Sequence, residues 1–439
     1  MSGHPQDLGV REQAAAIRSG ELKATDLLDA TLERLAERDA ALNSTPVVCA
    51  DEARQMLAEA PDGPLHGVPV TIKDMYALPW RGAHNGTPFE LIPPSESGGY
   101  RRLRDAGAVI VGVANQHEAG MGTTGVVSAY GVHPNPWNLE HCPGGSSGGS
   151  ASAVAARLVA GSVGSDSGGS TRLPAAFCGV VGLKVTYGSL PYDNYFGMNT
   201  TFSAPGAFGR DAGDARLVAE ALLARPLTAE PARELRVGIV REPYWSDCQP
   251  AVVALAEQAL AATGWKVRDI TIEHLELAGA ALMVRLGAEG GCPPAFVLEG
   301  LSPMTRAIML ANLLRPATAV SRADRARAAI RRAMAGALDD VDVVAWPTVP
   351  TPAPRIDQPF VDVPSGIVPT DVVNMRQAVV GNVTGQPGIN IPVGFIDGLP
   401  VGLQLLGGWG EEAQLFAAAQ HVEDATGRTF VDAVPPIAR

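Results

Sequence analysis

The 439-residue sequence predicts an α/β fold, and three observations carry that expectation. Short apolar runs of strand length recur along the chain. Helical stretches with apolar residues on one face separate several of them. A content of 46% hydrophobic and 18% charged residues suits a well-buried core. There is no repeat at solenoid spacing and no long polar linker. The whole of 1–439 is therefore expected to form a single domain, with a helical N-terminal segment at about 10–60.

In chain order, that segment has Thr25 as a candidate N-cap, followed by Leu28, Leu32 and Leu35 at one-face spacing. Residues 68–74 then alternate, with Val70 and Ile72 on one face and Thr71 and Lys73 on the other. This reads as a strand that exposes Lys73 near its end. A helix over 100–105 leads to a buried-type strand at 108–113. Residues 151–160, small and apolar, read as a buried helix before an extended piece at 162–166. Further strands are expected at 237–240, 267–272, 341–345, 389–393 and 401–406. The Pro-rich stretch 347–359 is the candidate surface excursion. A last helix spans about 411–426, with Gly427 as its stop.

The formal net charge of -12 argues against nucleic acid as a partner, because binding phosphate needs a basic footprint. One basic run, 322–332, reads as the solvated face of an Ala-rich helix. Five cysteines are too few and too scattered for a disulfide framework, which points to a reducing compartment. The N-terminus has no basic region followed by an apolar core, and no apolar run approaches ~18 residues. The expectation is a cytoplasmic protein with neither a membrane nor a nucleic-acid partner.

The chemistry concentrates in Cys142-Pro-Gly-Gly-Ser-Ser-Gly-Gly-Ser150, echoed by Gly168-Gly169-Ser170. A floppy linker would not be followed by so ordered a pattern. A phosphate loop needs a lysine directly after its last glycine, and Ser150 and Ala151 stand there instead. A nucleophile reading needs a serine, a base and an oxyanion hole. Ser167, Gly168, Gly169 and Ser170 offer successive backbone N–H groups with a hydroxyl at the end. None of the eight histidines sits in a triad setting, and His133, His141 and Cys142 fit no zinc spacing. Lys73 is the better candidate base if burial lowers its pKa, although a lone lysine at a strand end is ordinarily a surface residue.

The two serine motifs, together with Gly67-Val-Pro-Val-Thr-Ile-Lys-Asp74, resemble the amidase signature family. The likeness extends to residues 102–108, 206–214, 342–350 and 382–406, and so covers most of the chain. It implies a large twisted mixed sheet flanked by helices on both faces. It also implies an amidohydrolase with no cofactor and no metal. Carried over residue by residue, Ser170 would be the acylated nucleophile. Ser146 would be a bridging serine at a cis peptide with Gly145 or Ser147 beside it, and Lys73 the neutral base. The N–H groups of Ser167, Gly168, Gly169 and Ser170 would form the oxyanion hole, and Asp166 and Arg172 would brace that loop. Met121, Gly122 and Thr123 fall where related enzymes line the acyl pocket. Tyr187, Tyr192, Asn194 and Tyr195 are further pocket candidates.

Thr171 and Val185 depart from the family pattern, which usually has an aliphatic residue and a proline there. These departures bear on the substrate and leave every catalytic atom in place. The main expectation is an amidase acting on a small carboxamide or urea-like amide, with a homodimer as the assembly common among similar enzymes. The alternative is the glutaminase-type A subunit of a glutamyl-tRNA(Gln) amidotransferase. That subunit usually keeps an acidic residue ahead of its conserved TIPVNLAG-like stretch, and Asn374-Met-Arg-Gln377 has none. A third reading, a silent binding scaffold, is disfavoured by the complete set of Lys73, Ser146 and Ser170.

Overall fold

The computed structural model describes residues 4–93, 95–190, 193, 200–290, 295–428 and 432–438. Among them lie thirteen strands. The first six are β1 (Val47–Val48), β2 (Pro69–Lys73), β3 (Val109–Ala114), β4 (Gly161–Asp166), β5 (Val181–Lys184) and β6 (Ala204–Gly209). The rest are β7 (Arg236–Ile239), β8 (Lys266–Asp269), β9 (Val343–Pro347), β10 (Phe360–Val363), β11 (Gly366–Pro369), β12 (Gly388–Ile396) and β13 (Leu399–Leu406). Eleven strands form one mixed sheet in the order β1-β3-β2-β4-β6-β5-β12-β13-β9-β7-β8, and β10 and β11 pair as a separate hairpin. The pairs β3–β2, β2–β4, β9–β7 and β7–β8 are parallel, while the strands between β4 and β9 run antiparallel. Helices flank the sheet, so the α/β expectation holds.

The interior position of β2 corrects one expectation. Alternation suggested a half-exposed strand, yet all five of its residues are buried and Lys73 is 0% exposed. Parallel strands inside a sheet are covered on both faces, so polar residues on the second face go inside as well. Other differences are local. The helix Ala24–Arg38 has Lys23 as its N-cap; Thr25 lies in the first turn, where its hydroxyl donates to Asp26. The buried helix starts earlier and ends sooner, at Gly148–Ala155, and Arg157 takes a left-handed conformation just beyond it. The first half of the Pro-rich stretch is core rather than surface: Val349 and Ala353 pack with Leu173 and Phe177. The basic run does lie on a largely solvated helix, Ala317–Asp340, which buries only Ala323, Ile330 and Met334.

One corner of the sheet positions the glycine-rich turn. β4 ends at Asp166, the chain turns through residues 167–171, and the helix Arg172–Cys178 begins. Gly169 holds φ at +110°, and a side chain there would overlap Ala378, so only glycine serves. Asp166 and Arg172 both have fully buried side chains and form a two-point ion pair, each contact at 3.0 Å. The Asp166 carboxylate also accepts from the Gly169 N–H at 2.7 Å and the Thr171 N–H at 3.2 Å. Asn382 donates to Asp166 Oδ1 at 2.9 Å and accepts from Arg172 Nη2 at 2.8 Å. Arg172 Nη1 donates to Gln404 Oε1 at 2.9 Å. Thus β4, the turn, the helix Thr370–Thr384 and β13 are joined through one buried pair.

Burial alone would raise the Asp166 carboxyl. The charge and hydrogen bonds of Arg172, aided by Lys184 and Asn382, outweigh it and hold the group well below the usual carboxylate range. Breaking such a pair leaves an uncompensated charge in the core. Arg172→Met is therefore expected to cost about 3–5 kcal/mol in urea unfolding. A loss below ~1 kcal/mol would show that the network contributes little to holding the turn.

Candidate active site

The end of β2 brings Lys73 to the two serine motifs. Its Nζ donates to Ser146 Oγ at 2.7 Å and to Ser165 Oγ at 2.8 Å. Ser165 carries no motif that marks it in the sequence. It sits near the end of β4, which pairs in parallel with β2 through Ile72 and Val163. The parallel register was the missing information, because alternation within one strand says nothing about its neighbour. Burial pulls the Lys73 amine down to about 7, against Asp166 and Asp74, whose charges favour its protonated form. Asp74 is itself buried and accepts from Arg81 Nη1 at 2.8 Å and the Gly86 N–H at 2.9 Å.

The loop before the helix Gly148–Ala155 carries Ser146 and Ser147. The Gly145–Ser146 peptide is cis. Gly145 packs so closely that a Cβ would stand 2.5 Å from the Gly122 carbonyl oxygen, which requires glycine there. Ser147 ties this loop to β4 and to the second motif. Its N–H donates to the Ser170 carbonyl at 3.2 Å, and its hydroxyl donates to the Ser165 carbonyl at 3.1 Å. Ser170 is 8% exposed and lines a cavity together with Lys73, Ser146, Ser167 and Gly168.

The expected row of four oxyanion donors needs correction at one position. The Gly169 N–H is taken up by the Asp166 carboxylate, because the turn folds back over the end of β4. Among the described residues, the N–H groups of Ser167, Gly168 and Ser170 donate to no protein acceptor.

Met121, Gly122 and Thr123 all line the cavity. Thr123 is fixed by Asp371, which accepts from its N–H at 2.7 Å and its hydroxyl at 2.6 Å. Tyr187 lies elsewhere. Its hydroxyl donates to the Thr200 carbonyl, Arg327 lies over its ring, and its N–H donates to the Gly385 carbonyl at 3.0 Å. Tyr192, Asn194 and Tyr195 lie outside the described residues. The rest of the cavity wall was not foreseen. Met75, Leu282, Met283, Leu286, Ile308 and Met375 make it apolar, and Lys73 is the one ionisable side chain lining it among the described residues. Met75 follows β2, Leu282, Met283 and Leu286 share the helix Ala278–Glu289, and Ile308 and Met375 each come from a further helix, so no local motif marks them.

The amidase family model matches residues 26–416. The A subunit of the glutamyl-tRNA(Gln) amidotransferase of Halorhodospira halophila is 33% identical, over 95% of this chain and 97% of its own length. A solved amidase superposes with a TM-score of 0.89 at 29% identity, covering 95% of this chain and 99% of that one. A 6-aminohexanoate cyclic dimer hydrolase solved with its substrate gives 0.86 at 26% identity, covering 99% and 100%. The curated relatives overturn the expected partners, a small-molecule amide and no nucleic acid, because they are by name subunits of an enzyme of glutamyl-tRNA(Gln). Net charge speaks for the surface of one chain and not for the assembly that chain joins. Among the described residues no helix is long and apolar enough to cross a membrane. The buried lysine, the paired serine loops and these likenesses agree: the chain belongs to the amidase signature family and is an amidohydrolase.

Proposed function

We propose that the chain is the glutaminase-type A subunit of a glutamyl-tRNA(Gln) amidotransferase, working in the cytoplasm and releasing ammonia from a carboxamide. The whole-length likeness to subunits of that name supports the assembly. The single observation that carries the chemistry is the Lys73 amine, lowered to about 7 and bonded to Ser146.

In this reading neutral Lys73 takes the Ser146 proton as Ser146 takes that of Ser170. The Ser170 oxygen bonds to the amide carbon, and the carbonyl oxygen gains negative charge. The N–H groups of Ser167, Gly168 and Ser170 are the candidate donors to it, each such donor being worth about 3 kcal/mol in the transition state. The C–N bond then breaks, and the proton held on Lys73 returns through Ser146 to the leaving nitrogen. Water, deprotonated by the same relay, cleaves the Ser170 ester and restores the serine. Asp166 and Arg172 shape the turn, and Ser147 holds the Ser146 loop against β4.

A second reading rests on the cavity lining. A free amino acid carries an ammonium and a carboxylate, and among the described residues the cavity is lined by no ionisable side chain other than Lys73. Burying such charges unpaired is costly, so an acyl group without charge fits this wall better than glutamine does.

Ammonia release from glutamine and from hexanamide separates the two. It should be measured on the purified chain and on the chain recovered with its co-purifying proteins, with Ser170→Ala as control. The subunit reading expects glutamine turnover that rises with those proteins. Preferential turnover of hexanamide by the chain alone favours the second reading. Release that survives in Ser170→Ala contradicts both.

The pH dependence follows from the sign of the Lys73 shift. The neutral amine is the active form, and its pKa in the fold is lowered to about 7. Activity as kcat/KM should therefore climb about tenfold per pH unit below that point and level off above about pH 8. A profile still climbing near the ordinary lysine value of 10.5 would contradict a lowered base.

A further inference from the structure

One buried carboxylate near the site takes no part in the reaction described above. Glu118 begins the turn that forms the cavity wall beside Ser146. A Cβ on Gly120, two residues on, would stand 3.7 Å from Ser146 Oγ, and Ala119, Gly120 and Met121 all face the cavity. Glu118 is only 4% exposed. Its side chain bonds to one residue far away in sequence, Ser302. The Ser302 hydroxyl donates to Oε2 at 2.6 Å, and the Ser302 N–H donates to the same oxygen at 3.1 Å.

Ser302 is the N-cap of the helix Pro303–Asn312. That helix is thinly anchored. It buries only Thr305, Met309 and Asn312, a single stripe, while Met304 is 70% exposed and Leu310 is also exposed. Yet it delivers Ile308 to the cavity wall. Beneath it, Met309 packs with Ala119 and Leu301 in a small cluster apart from the main core. A charge-assisted hydrogen bond to a buried carboxylate is the strongest of these contacts. An apolar stripe alone permits sliding, whereas the carboxylate fixes the register of the helix on the wall.

We propose that Glu118 is a positioning residue: by holding Ser302 it seats the helix Pro303–Asn312, and with it Ile308, as the cover of the acyl cavity. The seat stands on geometry alone. Its consequence for substrate choice rests on the reading of Ser170 as nucleophile.

Two measurements on Glu118→Ala and Glu118→Gln in the full chain test it. The first is backbone hydrogen exchange over residues 305–312, which reads the seat with no reliance on chemistry. It should speed up about tenfold in Glu118→Ala, the size expected when a hydrogen bond to a charged group is lost, and less in Glu118→Gln, which keeps one acceptor. The second is the rate of Ser170 labelling by a methyl and by an octyl fluorophosphonate. In the unmodified protein the octyl probe should label faster, because its chain fills the covered cavity. Glu118→Ala should lower that preference about tenfold and leave the methyl rate unchanged. Exchange that does not change overturns the seat. Faster exchange with an unchanged chain-length preference, or methyl and octyl rates that fall together, overturns the positioning role. If Ser170 is not labelled even in the unmodified protein, the nucleophile reading falls, and the exchange result alone decides the seat.

Discussion

The site depends on an amine kept out of water. Lys73 stands at the end of an interior strand, with no exposed surface, and bonds to two serine hydroxyls. Hydroxyls solvate an amine without neutralising a charge, so burial wins and the proton is held weakly. Two carboxylates oppose this. Asp166 and Asp74 both favour the protonated amine. Each is paired with an arginine of its own, Arg172 and Arg81, at 3.0 and 2.8 Å. Each arginine's positive charge opposes the field that its acid projects onto Lys73. Arg172 thus has two roles that one mutation would not separate: it holds the glycine-rich turn, and it opposes the pull of Asp166 on the Lys73 amine.

The two halves of the cavity are built by different means. The reacting half is backbone and hydroxyl, held by loops that leave no room for side chains at Gly145 and Gly169. Those loops are cross-tied through Ser147, which touches both the Ser170 carbonyl and β4. The far half is apolar and rich in methionine, a side chain that adapts its shape to what it meets. A rigid polar end thus meets an adaptable apolar end within one cavity. Asp371 and Glu118 fasten the two ends of the wall between these halves, at Thr123 and Ser302 respectively.

Much of this was legible in the sequence, because the reacting half is made of consecutive residues. Gly-Gly-Ser runs announce special backbone, and the alternation of 68–74 places Lys73 on a strand. The same alternation misjudges the exposure of Lys73, since one strand's pattern does not reveal whether helices cover both faces of its sheet. Ser165 escapes notice for a related reason: its contact with Lys73 arises from the register between two strands that lie far apart in sequence. The apolar wall assembles Met75, Leu282, Ile308 and Met375 from four separate segments, each of which looks like ordinary core. Tyr187, a pocket candidate from the sequence, instead meets Thr200 and Arg327, because its place depends on where the chain goes after β5. The partners are misjudged because a charge count cannot see an assembly.

The central claim is that the Lys73 amine loses its proton near pH 7 rather than near 10.5, and direct titration of its amine tests it. The chain has only four lysines, at 23, 73, 184 and 266, so ¹³C labelling at the lysine ε-carbon gives four resolvable signals. Lys184 is also buried and lowered to about 7, so the experiment uses Lys184→Met, with Lys73→Met to assign the signal. The account predicts one ε-carbon titrating near 7 in Lys184→Met, and its disappearance when Lys73 is replaced. A Lys73 signal that stays protonated up to the ordinary value of 10.5 would contradict the account, because a charged amine could not accept the Ser146 proton.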